Sequence, residues 1–120
     1  PVESKVAISV WPKTQDTDFV KMANDHYTNM STYKPPESFS LYQKMDNQVT
    51  KSITEELFGN MRSFSYTIKG NYSEDGASES VTPITTYKYL WVDSGTNVFL
   101  ITYNDSIITE QILSTFKFTI

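Results

Sequence analysis

Apolar and polar residues alternate through most of this chain, and only two stretches switch to a helical spacing. "VAISVWP" sets Val6, Ile8 and Val10 on one side and Ala7 and Ser9 on the other, which predicts a strand. Pro12 ends it, because proline cannot donate to a ladder. The period then changes. Phe19, Ala23, Tyr27 and Met30 recur at helical intervals and form, with Val20, a single apolar stripe. Asp16 or Thr17 is the expected cap, and Asp18 suits the positive end of the helix. Pro35 and Pro36 stop the helix, since each disfavours helical backbone in the residue before it.

Alternation returns at Phe39, Leu41 and Met45. "NQVTKSITEELFG" fits two readings: Val49, Lys51 and Ile53 share a strand face, while "SITEELF" could open a helix. The strand reading is preferred, with a turn at Gly59-Asn60. "MRSFSYTIKG" carries Phe64, Tyr66 and Ile68 on one face, and "NYSEDGASES" is a polar loop. "VTPITTYKYLWVDSGTNVFLITYND" reads as a hairpin turning at Asp93–Asn97, where Gly95 is free to take a positive φ. Val98 to Ile101 is an unbroken apolar run, as in a strand covered on both faces. The closing segment has the second helical period: Ile108, Ile112 and Phe116, capped by Asp105 or Ser106, with Phe118 and Ile120 turned inward after it. The expected fold class is therefore α+β, a largely antiparallel sheet flanked by helices, in one domain spanning 1–120.

Composition narrows the function classes. The chain has 120 residues, a formal charge of -4, 14% aromatic residues and no cysteine. The acidic balance argues against a nucleic-acid partner, and no apolar run approaches the ~18 residues of a membrane span. Disulfides, thiolate metal sites and cysteine nucleophiles are all excluded. Abundant Ser and Thr and candidate glycosylation sequons at Asn29, Asn71 and Asn104 favour an extracellular or cell-surface location. The chain opens on Pro1, which puts any signal peptide or lipid anchor upstream, so contact with a membrane would come only through that unseen anchor.

"VAISVWPK" with its helix, "GNMRSFSYTIKG", "YKYLWVDSGTNVFLITYND" and "ITEQILSTFKF" together resemble the PsbP-like domain. That family is named for an extrinsic subunit of the photosynthetic oxygen-evolving complex and includes small surface lipoproteins of unassigned role. The resemblance implies an αβα sandwich and a binding or assembly role. Members usually carry an N-terminal hairpin before the strand matched by "VAISVWP", so the resemblance also implies a missing piece and an uncovered sheet edge.

No grouping of residues announces catalysis. His26 is the single histidine, more fitting as helix surface or core edge than as ligand or base. Asp16, Asp18, Glu74-Asp75-Gly76 and Asp93-Ser94-Gly95 read as caps and turns before cation sites. Glu55 and Glu56 would face opposite sides of a strand. No catalytic, cofactor-binding or metal residue is assigned, and no cofactor is expected. Tyr87, Tyr89 and Trp91 share one strand face; they are either core beneath a helix or an aromatic strip for a partner. The expected function is a non-enzymatic, surface-exposed or lipid-anchored binding domain. Its partner is a protein, or a second copy engaged by strand addition. The alternatives are an intracellular adaptor of the same fold and a carboxylate-based hydrolase.

Overall fold

The structure, a computed structural model, describes residues 6–34, 46–70 and 85–104. Five strands and one helix occupy them: β1 (Val6–Pro12), α1 (Phe19–Ser31), β2 (Gln48–Phe58), β3 (Met61–Gly70), β4 (Thr85–Asp93) and β5 (Asn97–Asn104). The strands form one sheet in the order β1-β5-β4-β3-β2. Every neighbouring pair is antiparallel. Two of the connections are tight turns. Gly59 takes φ 65° between β2 and β3, and Gly95 takes φ 95° between β4 and β5. Both lie where only glycine enters without strain.

α1 lies on one face of the sheet. Its stripe buries Phe19, Ala23 and Met30 against Phe64, Tyr66 and Ile68 of β3, Tyr89 and Trp91 of β4, and Val98 and Leu100 of β5. Each large side chain so buried contributes about 1.5–3 kcal/mol. The helix begins one or two residues later than the expected cap at Asp16 or Thr17: Asp18 is the N-cap, its Oδ1 accepting the Lys21 N–H at 3.1 Å. At the other end the Thr32 hydroxyl donates to the Thr28 carbonyl at 2.8 Å. Asn47 then ties the helix to the sheet. Its Nδ2 donates to the Met30 carbonyl at 2.9 Å, and its backbone N–H donates to Tyr33 O at 3.1 Å. The opposite face of the sheet holds a second cluster of Leu90, Val92, Ile101 and Tyr103, edged by Phe58, Met61 and Phe99.

The layered αβα architecture is not what forms. The described residues are 61% strand and 18% helix, a β-rich fold with one short helix rather than a sheet flanked by helices. The segment read as a strand or as the start of a helix, "SITEELF", continues β2 to Phe58. β2 gains its pairing from β3, so the local helical tendency of "TEEL" yields to ladder bonds. The helix expected from the closing stripe, together with Phe118 and Ile120, lies outside the described residues, as do the 39–45 alternation and the 71–80 loop. The continuous run at Val98–Ile101 is explained by its place: β5 is an interior strand between β1 and β4, with Val98 and Leu100 on the helix face and Ile101 in the second cluster.

Candidate functional site

Among the described residues the sheet ends in β1 and β2, and these two edge strands differ in how they meet solvent. β2 is irregular. Its pairing with β3 shifts register between Val49 and Lys51 and again between Lys51 and Thr54. It also carries charge: Glu55 is paired with Arg62 at 2.7 Å, and Glu56 lies 4.0 Å from Lys51. Bulges and charges on an edge discourage pairing with a further strand.

β1 has neither device. It pairs with β5 in unbroken register from Val6 opposite Tyr103 to Pro12 opposite Asn97. No charged residue occurs between Val6 and Pro12. Lys13 and Thr96 continue this register, and the Lys13 N–H donates to the Thr96 carbonyl at 3.0 Å. Hydrogen-bonded pairs alternate with non-bonded pairs in an antiparallel ladder. The odd residues Ala7, Ser9 and Trp11 therefore bond inward to β5. The N–H and C=O groups of Val6, Ile8 and Val10 point to the outer edge. Pro12 falls on this outward set, so its missing N–H costs the β5 ladder nothing and closes the open run at one end.

The side chains on this edge are apolar and open. Val6 is 36% exposed, Ile8 40% and Val10 50%. They stand opposite Tyr103, Ile101 and Phe99 and so extend the second apolar cluster to the rim of the sheet. On the helix face Trp11, 39% exposed, stacks on buried Trp91 with centroids 5.4 Å apart and planes at 18°.

The aromatic strip read from β4 lies elsewhere. Tyr89 and Trp91 are buried under α1, and Tyr87 is packed against the same cluster. Burial beneath the helix removes Tyr89 and Trp91 from a binding surface, while Tyr87 stays partly exposed. Trp91 belongs to a hydrogen-bonded group with Tyr66 and His26. The Trp91 Nε1–H donates to the Tyr66 hydroxyl at 2.9 Å. That hydroxyl also bonds His26 Nδ1. Indole is a donor only, so Tyr66 accepts from Trp91, and the direction of its bond with Nδ1 follows the histidine tautomer. The His26 ring packs on Tyr89 at 5.3 Å and edge-on to Trp91 at 5.6 Å. Burial pushes the Tyr66 phenol well above its usual range, against the opposing pull of the Trp91 hydrogen bond. A phenol held neutral in this way locks α1 to the sheet; it is poorly suited to accept or expel protons.

A groove of about 340 Å³ opens on the other face, lined by Lys51, Glu56, Ser65, Thr67, Lys88 and Tyr103 among others. Its lysines are engaged. Lys51 Nζ donates to Ser65 Oγ at 3.0 Å, and Lys88 Nζ sits 5.9 Å over the Tyr103 ring. Among the described residues no group of three or more His, Asp or Glu could hold a metal ion. Glu55 and Glu56 each face a cation on different sides of β2. Asp93 is a turn residue: its carboxylate accepts the Gly95 N–H at 2.8 Å and pairs with Lys13 at 2.9 Å. Of the sequon asparagines, Asn29 is exposed on the last turn of α1, Asn104 is buried at 2%, and Asn71 lies outside the described residues.

Sequence reasoning placed an uncovered edge near Val6 through a family likeness. The local signal was the charge-free "VAISVWP" beside a charged and interrupted β2. What it missed was the His26–Tyr66 bond, which spans 40 positions and leaves no local trace. No described helix is long and apolar enough to cross a membrane. No protein-family model, curated protein or solved structure matches the chain.

Proposed function

We propose that this chain is a non-enzymatic binding or assembly domain that takes an extended strand from a protein partner at the outer edge of β1. The observation that carries the reading is the asymmetry of the two edges. β2 is bulged and charged, while β1 is regular, uncharged and lined with half-exposed β-branched residues. Strand addition supplies main-chain hydrogen bonds at such an edge, and alternate side chains supply selectivity. The reading rests on this geometry and not on the PsbP-like resemblance, whose implied sandwich the fold departs from. Display at the cell surface remains part of the proposal on the Ser/Thr-rich, cysteine-free composition. Surface labelling of intact cells carrying the full gene separates it from an intracellular adaptor.

The test is titration of isotope-labelled protein with extended peptides that alternate β-branched and small residues. Shifts and slowed amide exchange concentrated at Val6, Ile8 and Val10 are expected. Peptide binding that perturbs only the Lys51–Lys88 groove, or no binding at millimolar peptide, would sink the reading.

A further inference from the structure

We propose that the strand β1 accepts is β1 of a second copy, in a two-fold antiparallel pair centred on Ile8. The inference rests on the reading of β1 as a strand acceptor and adds the identity and register of the occupant. Its basis is the alternation along the strand. Because Val6, Ile8 and Val10 are the residues with outward N–H and C=O groups, a partner strand must place its own outward residues opposite them. In one symmetric register all three are used: Val6 meets Val10 of the second copy, Ile8 meets its own symmetry mate, and Val10 meets Val6. This gives about six main-chain hydrogen bonds and leaves none of the three donors unpaired. Pro12, which has no donor, falls outside the paired set. A shift by two residues in either direction leaves one of the three residues on each copy without an outward-bonding partner from Val6–Val10.

The side chains agree with the same register. Valine meets valine and isoleucine meets isoleucine on the face of the second apolar cluster, and β-branched pairs across antiparallel strands are favourable. On the helix face Ala7 stands opposite Ser9, a small pair without steric conflict. Charge does not oppose this register locally: each copy carries -4, but β1 sets no charge against its own copy. Two seven-residue strands side by side cover less than the roughly 1,200 Å² of a stable interface, so the dimer is weak, with a dissociation constant between about 1 μM and 1 mM.

The register is tested with cysteine, because the chain has none of its own. Ile8→Cys is expected to cross-link to itself under mild oxidation. Val6→Cys alone is not: its mate lies four residues along the strand, about 13 Å, outside disulfide reach. A mixture of Val6→Cys and Val10→Cys is expected to give the mixed disulfide. Sedimentation equilibrium of the unmodified protein from 10 μM to 1 mM is expected to show dimer growing with concentration, and Ile8→Lys to abolish it without a change in melting temperature. Monomer throughout the range, or a dimer that survives Ile8→Lys, overturns the proposal. The peptide titration distinguishes the two levels of failure. A monomer whose Val6, Ile8 and Val10 amides respond to an added strand retains the acceptor reading and discards the second copy. A monomer whose same amides are protected from exchange without any addition has its edge covered by its own chain, and both readings fail.

Discussion

Replacing Gly70 with alanine should loosen the whole helix-to-sheet attachment. Gly70 ends β3, buried, and its backbone φ is not positive, so conformational freedom is not what requires glycine here. Space is. A Cβ at this position would run into the Asn47 side-chain carbonyl and come within 2.7 Å of the Asn47 Cα. The second contact is with backbone, so a side-chain rotation cannot relieve it. Asn47 must shift, and Asn47 is the residue that donates to the Met30 carbonyl at 2.9 Å and to Tyr33 O at 3.1 Å. Overpacking of this kind costs about 1–3 kcal/mol. Losing the buried Met30 bond adds roughly 1–2 kcal/mol. The sum, about 2–5 kcal/mol, corresponds to a fall in melting temperature on the order of 8–20 °C for a domain of this size. Urea and thermal unfolding followed by circular dichroism measure it. Asn47→Ala alone should cost about 1–2 kcal/mol. The double variant should cost less than the sum of the two, since the residues touch. A Gly70→Ala protein melting within a degree or two of the parent, or strict additivity with Asn47→Ala, would refute the steric account.

Other outcomes follow from the same contacts. Tyr66→Phe removes the acceptor of the buried Trp91 Nε1–H and the partner of His26 Nδ1, and should cost about 1–3 kcal/mol by urea unfolding with an altered Trp fluorescence maximum; an unchanged midpoint would show the network to be idle. Asp93→Asn keeps an acceptor for the Gly95 N–H but loses the ion pair with Lys13, and should cost about 1 kcal/mol at neutral pH. Partial burial raises the Asp93 pKa, but the Lys13 and Gly95 hydrogen bonds and the charges of Lys13 and Arg62 outweigh it and hold the carboxyl below its usual value of 3.8. Its stabilisation is therefore present above that value and lost as pH falls through the lower, folded one. The parent and Asp93→Asn should converge in stability in acid, and a gap that stays constant from pH 7 to pH 2 would contradict the assignment. Leu57→Ser, at a β2 position 74% exposed, should leave stability within about 0.5 kcal/mol; a larger loss would mean β2 is covered.

Local chemistry, legible in the chain alone, determined much of this protein's secondary structure. The two-residue period set the faces of β1, β3 and β4, the stripe from Phe19 to Met30 set the buried side of α1, and Gly59 and Gly95 set two turns. These signals act over a few residues, and a periodicity states which side of an element is apolar. It does not state what that side meets. Tyr87, Tyr89 and Trp91 therefore read as core beneath a helix in preference to a surface strip, and only the packing of α1 decides it for Tyr89 and Trp91. The balance of the layers was misjudged for the same reason: an apolar face calls for a cover, and neither the number nor the type of covering elements is written in its spacing. Strand order also needed the fold. Only the pairing of β1 with β5 makes β1 an edge, and only the Lys13–Thr96 bond decides that Val6, Ile8 and Val10, rather than Ala7 and Ser9, turn their peptide groups outward. The His26–Tyr66 bond and the Asn47–Gly70 contact join residues far apart in the chain, and only the assembled sheet and helix bring them within reach.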